Sequence, residues 1–102
     1  MMIPIYDINL SKSSIKNVNS CLKDNWISSK GKFISRFETK ISRFLNIKYT
    51  TTVSNGTVAL HLALLALGIK KNDEIIVPVL TYVAPVNAIK YVGAKPVFID
   101  AD

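Results

Sequence analysis

Residues 58–67, Val-Ala-Leu-His-Leu-Ala-Leu-Leu-Ala-Leu, place apolar side chains on nearly every side of a helix. Such a helix keeps no face for water, so it is expected to be buried between layers rather than to lie on a surface. The β-branched residues 49–53 just before it read as a strand. Only Ser54, Asn55, Gly56 and Thr57 separate the two. A strand that turns this sharply into a buried helix points the helix's first N–H groups into a crevice, at the positive end of the helix dipole. That arrangement suits a phosphate. Gly56 lets a ligand approach the backbone because it has no Cβ, and Thr57 adds a hydroxyl donor. The same four residue types are also ordinary capping and turn residues. The stretch has neither G-x-G-x-x-G nor the Gly-Lys of a P-loop, so neither nucleotide signature applies.

The rest of the chain supplies layers on either side. Ser11 can cap a helix running to about residue 25, with Ile15, Val18, Leu22 and Trp26 along one face. Trp26-Ile27-Ser28-Ser29-Lys30-Gly31 breaks that pattern and reads as a loop. A second helix over residues 32–46 carries Phe33, Phe37, Ile41 and Phe44 as an apolar stripe expected to pack in a core. After the 58–67 helix, Gly68 marks a helix end. Residues 74–77 form a short continuous apolar strand of the kind buried in parallel sheets. Pro85 fits the first turn of a helix over residues 85–91. Gly93 closes that helix, and residues 96–99 make a third strand with Asp100 at its carboxyl end.

The order is α-α-β-α-β-α-β, an α/β chain with a helical lead-in over residues 1–48 and a β-α-β-α-β unit over residues 49–102. Ligands in such sheets bind beyond the carboxyl ends of the strands. Ser54 to Thr57, Leu80 to Tyr82 and Asp100 gather at that edge. A phosphate held at the helix start, with the Tyr82 ring on the neighbouring loop, would suit a flat phosphorylated ligand.

Composition narrows the class. The net charge is +6, and the whole excess falls within residues 1–48. Those lysines and arginines are spread along helices without aromatic interleaving, which reads as solvated helix faces and not as a nucleic-acid surface. No apolar run reaches the length of a membrane span, and the N-terminus lacks the pattern of a signal peptide. The single cysteine, Cys21, excludes an internal disulfide and makes a reducing, cytoplasmic setting the default. No metal-ligand spacing is present, and His61, the only histidine, lies mid-helix and reads as a packing residue. The proton-transfer machinery is not visible among these residues.

Ser54-Asn55-Gly56-Thr57-Val58-Ala59-Leu60-His61-Leu62-Ala63-Leu64, then Asp73-Glu74-Ile75-Ile76-Val77-Pro78, Thr81-Tyr82 and Pro96-Val97-Phe98-Ile99-Asp100, closely resemble the DegT-type pyridoxal-phosphate-dependent sugar aminotransferases. Ile3-Pro4-Ile5-Tyr6 and Trp26-Ile27-Ser28-Ser29-Lys30-Gly31 narrow the likeness to members that aminate GDP-4-keto-6-deoxymannose with glutamate. It covers essentially the whole chain. It implies the N-terminal part of the large domain of a fold-type I pyridoxal-phosphate transferase. Gly56 and Thr57 match the positions that hold the cofactor phosphate, with Asn55 alongside. Tyr82 matches the aromatic residue stacked on the pyridine ring. Trp26, Ser28, Ser29 and Lys30 would belong to the loop near the sugar nucleotide. A homodimer with its active sites at the subunit boundary is implied too.

Two departures stand out. Pro85 occupies a position where the family usually has a small residue such as serine. The family's Schiff-base lysine and the aspartate paired with the pyridine nitrogen have no match among these residues. The chain therefore reads as an incomplete domain, the N-terminal segment of such an enzyme. The alternatives are a non-catalytic remnant or partner-binding fragment, and an unrelated nucleotide-binding α/β module.

Overall fold

The computed structural model describes residues 7–26 and 28–100. The Ile3–Tyr6 motif and Ile27 lie outside the described residues. Contacts divide the chain into two units, Met1–Thr50 and Thr51–Asp102.

The first unit holds α1 (Lys12–Lys23) and α2 (Lys32–Leu45). The Ser11 hydroxyl accepts from the Ser14 N–H at 3.1 Å, so α1 starts at its expected cap. Asn46 ends α2 in the left-handed conformation at φ 52°, a position asparagine tolerates. Neither helix has a buried residue. The expectation that the Phe33/Phe37/Ile41/Phe44 stripe packs in a core is therefore not met within this chain. Phe37 is 56% exposed and Phe44 84%. The phase of the stripe is helical, and Phe33 and Ile41 are half-buried, but Phe37 and Phe44 stay uncovered among the described residues.

The second unit holds α3 (Gly56–Ala66), β1 (Glu74–Pro78), α4 (Val83–Tyr91) and β2 (Lys95–Ile99). The two strands pair in parallel, with Glu74 opposite Lys95 and Pro78 opposite Ile99. Val79 N–H to Ile99 C=O at 2.9 Å and Lys95 N–H to Asp73 C=O at 2.8 Å extend the ladder at its two ends. The core is small: Val77, Ile89 and Ala94 are buried together, and Leu64, Ile69, Ile75, Val86 and Val92 pack around them.

Residues 49–53, expected as the first strand, belong to no strand. β-branched residues favour a pleated surface but become a strand only against a partner. The sheet of this unit has two strands, β1 and β2. Thr50 is instead held against α2. Its hydroxyl donates to the Glu38 carbonyl at 2.7 Å and lies 2.7 Å from the Ser42 hydroxyl.

The expected burial of α3 is likewise not found. It has no buried residue, and Leu62, Leu65 and Leu67 are 43%, 52% and 76% exposed. α3 packs along α4, and Leu64 reaches the core cluster; its other faces stay open. His61 does pack, its ring edge-to-face with Tyr91 at 5.5 Å.

Both helices of this unit end alike. Gly68 and Gly93 adopt φ of 76° and 78°, and the residues after them, Ile69 and Ala94, donate back to Leu64 and Ile89. These are Schellman ends, and each tucks its next apolar side chain into the core. Gly93 lies beside Lys71, and the Asn72 N–H meets the Gly93 carbonyl at 3.4 Å. The carboxyl ends of α3 and α4 thus meet at the start of the strands, which places both helix N-termini toward the strands' carboxyl edge. Gly93→Ala is expected to lower stability by about 1–2 kcal/mol, because an L side chain is strained at that φ. Thermal unfolding measures it, and an unchanged midpoint would contradict the strain.

Candidate functional site

α3 begins at Gly56, two residues before its apolar run. Asn55 is its cap, with extended backbone, and its side-chain oxygen accepts the Val58 N–H at 3.0 Å. The Ala59 N–H bonds the Asn55 carbonyl at 3.1 Å, the first bond of the helix. Of the helix's first N–H groups, those of Gly56 and Thr57 have no acceptor among the described residues, and neither does the Thr57 hydroxyl. Thr57 is half-buried and Gly56 is exposed.

Gly56 is unusual in what it does not need. Its φ lies outside the left-handed region, and a Cβ placed on it would meet nothing within 4 Å. No contact among the described residues requires a glycine there. The space over Gly56, edged by two free N–H groups and one hydroxyl, has the donor set of an anion cradle. An acceptor-only group such as a phosphate ester fits it in chemistry and in room.

Tyr82 caps α4 without a side-chain bond and is 82% exposed. With Leu80, Thr81 and Val83 it lines an open concavity on the loop after β1. The fold thus brings Gly56, Thr57 and Tyr82 to the same edge of one unit, each at the head of a helix. α4 itself starts two residues before the expected Pro85, which occupies its third position, where a missing N–H leaves no helix bond unmade.

Trp26, Ser28, Ser29 and Lys30 lie in the other unit, between α1 and α2, and all are exposed. Trp26 and Lys30 line a concavity of about 300 Å³ with Cys21, Asp24 and Lys32. Two features of this loop escape sequence reading. One is an ion pair between Asp24 and Lys32. The other is the contact of Trp26 with Gly31. Asp24 follows α1 and Lys32 begins α2, and their opposite charges across the loop are the only signal the sequence offers.

The DegT/DnrJ/EryC1/StrS aminotransferase family model matches residues 9–102. The chain is 59% identical to GDP-perosamine synthase of Escherichia coli O157:H7 over 98% of its own length and 28% of that protein's. It is 54% identical to the GDP-perosamine synthase of Vibrio cholerae, over 99% of its length and again 28% of the relative. Among solved structures, an aminotransferase from Psychrobacter cryohalolentis superposes with a TM-score of 0.83 at 34% identity, covering 92% of this chain and 24% of that one. GDP-4-keto-6-deoxy-D-mannose-3-dehydratase of E. coli, with bound hydrated pyridoxal phosphate (PLP), superposes at 0.81 and 27% identity, over 97% of this chain and 27% of that one. The chain thus spans about a quarter of the length of the proteins it resembles. With nearly its whole length matched, it belongs to the DegT/DnrJ/EryC1/StrS aminotransferase family.

Proposed function

We propose that this chain is the N-terminal segment of a PLP-dependent sugar-nucleotide aminotransferase, one that moves an amino group from glutamate to a keto-deoxy sugar nucleotide. The observation that carries the proposal is the open cradle at the start of α3, with the exposed Tyr82 ring at the head of the next helix of the same unit. Identity near 60% to a GDP-perosamine synthase supports GDP-4-keto-6-deoxymannose as the sugar nucleotide and surface-polysaccharide sugar synthesis as its setting. The dehydratase neighbour shares this part of the fold, so the fold alone does not select amino transfer; the higher identity to the synthases supports it. The proposal includes a homodimer when the enzyme is complete, and action in the cytoplasm without a membrane or nucleic-acid partner.

PLP supplies an electron sink and carries the amino group between substrates. The residues of this chain bind and orient it. The Gly56 and Thr57 N–H groups and the Thr57 hydroxyl donate to its phosphate. Asn55 holds the turn in shape by occupying the Val58 N–H, which leaves the two preceding donors for the ligand. Tyr82 offers its ring face to the flat pyridine. Trp26, Ser28, Ser29 and Lys30 form the segment near the sugar nucleotide. The residues that move protons lie outside this set.

Thr57→Ala tests the cradle. It removes one hydroxyl donor to an anion, a bond of about 1.5–3 kcal/mol. Retention of PLP on dialysis of the cofactor-loaded protein should fall by about tenfold or more. Unchanged retention removes Thr57 from the site.

A further inference from the structure

Gly31 has no backbone reason to be glycine. Its φ of −68° and ψ of 156° are open to any residue, and it heads α2 without a side-chain cap. A serine there would bring a capping oxygen. Trp26 is what stands in the way. A Cβ on Gly31 would lie 2.7 Å from Trp26 Cδ1 and 3.0 Å from its Nε1, closer than side chains come. The indole therefore rests against the bare Cα.

The rest of the loop holds it there. The Trp26 N–H donates to the Cys21 carbonyl at 3.1 Å, which fixes its backbone to the end of α1. Lys32, the first residue of α2, pairs with Asp24 and donates to the Ser20 hydroxyl at 3.2 Å. Both ends of the loop are thereby fastened, and the indole becomes part of the wall of the 300 Å³ concavity that Lys30 also lines.

We infer that Gly31 is a positioning residue, whose missing Cβ seats the Trp26 indole as a wall of this concavity. The use of that wall by a sugar nucleotide rests on the function proposed above; the seating does not. A half-exposed indole offers a flat apolar face to a nucleobase or a sugar ring, with the Lys30 ammonium as the cation for a neighbouring phosphate.

Trp26 is the only tryptophan, so its fluorescence reports this position alone. The test is a double-mutant cycle in the full chain with Gly31→Ser and Trp26→Ala, read by thermal unfolding, with the emission maximum followed where Trp26 is present. With Trp26 in place, Gly31→Ser is expected to lower the midpoint and to shift the emission to the red. In the Trp26→Ala background the same change is expected to raise the midpoint by about 2 °C, because only the new cap remains. Failure of Gly31→Ser to fold, with the double variant folding, supports the inference equally. Equal effects in both backgrounds, with unchanged emission, overturn it. Added GDP separates the two readings. Quenching of Trp26 in the native chain, lost in Gly31→Ser, supports both. Coupling without any quenching keeps the seating and sinks the nucleotide role.

Discussion

Gly56→Val is expected to lower PLP affinity by about 100-fold while leaving the fold as stable as before. The two consequences have separate causes. Within the chain a Cβ at this position meets only open space, so the substitution clashes with nothing. Valine also spends less backbone entropy than glycine on entering a helix, which offsets its own stiffness there. Toward a ligand the same open space is the site itself. A branched side chain would fill it and hold a phosphate away from the Gly56 and Thr57 N–H groups. Losing two charge-assisted bonds of about 1.5 kcal/mol each amounts to about 3 kcal/mol, or a factor of about 100 in Kd. Equilibrium titration with PLP, alongside thermal unfolding, separates these effects. Equal loss of stability and of binding would show that Gly56 serves the fold and not a phosphate. Intact binding would move the phosphate elsewhere.

Ile89→Ala is expected to destabilise the second unit by about 2–4 kcal/mol, enough to unfold much of it. Leu/Ile-to-Ala changes in a core cost this much through lost transfer energy and the cavity left behind. Here the loss is a large share of what exists. Val77, Ala88, Ile89 and Ala94 are the buried apolar residues among those described, and Ile89 is the largest side chain of the buried cluster that joins α4 to β1. Its carbonyl also accepts the Ala94 N–H, so the same residue closes the turn into β2. Phe44→Ala, a larger deletion at an 84% exposed site, should change stability by under about 0.5 kcal/mol in this chain. Denaturant unfolding of both variants ranks them. A Phe44 cost equal to that of Ile89 would mean that the stripe of α2 is covered after all.

How much of this was legible in the sequence depends on the range of the interaction. α2 is legible almost to its ends because Phe33, Phe37, Ile41 and Phe44 keep one helical phase after Gly31. β1 and β2 are legible in short apolar runs, and the ends of α3 and α4 in Gly68 and Gly93, which take left-handed backbone. All of these are local facts. Residues 49–53 had strand chemistry, but strand formation needs a second strand alongside, and local composition cannot supply one. The burial expected of α3, and of Phe37 and Phe44 in the stripe of α2, is absent for a related reason. An apolar face states a need for cover, and the cover must come from other residues. At the site, Ser54 to Thr57 announced a helix start. That Asn55 spends its oxygen on Val58, and so leaves Gly56 and Thr57 as the free donors, is a matter of rotamer and distance. The seating of Trp26 on Gly31 is a contact between two side-chain volumes, and no periodicity records it.

The start of α3 is expected to hold the phosphate of PLP. A crystal structure of the cofactor-loaded protein tests it most directly. The phosphate oxygens should lie within hydrogen-bond distance of the Gly56 and Thr57 amide nitrogens and the Thr57 hydroxyl, with the pyridine ring against Tyr82. A phosphate bound away from these three donors would contradict the claim, whatever the family likeness.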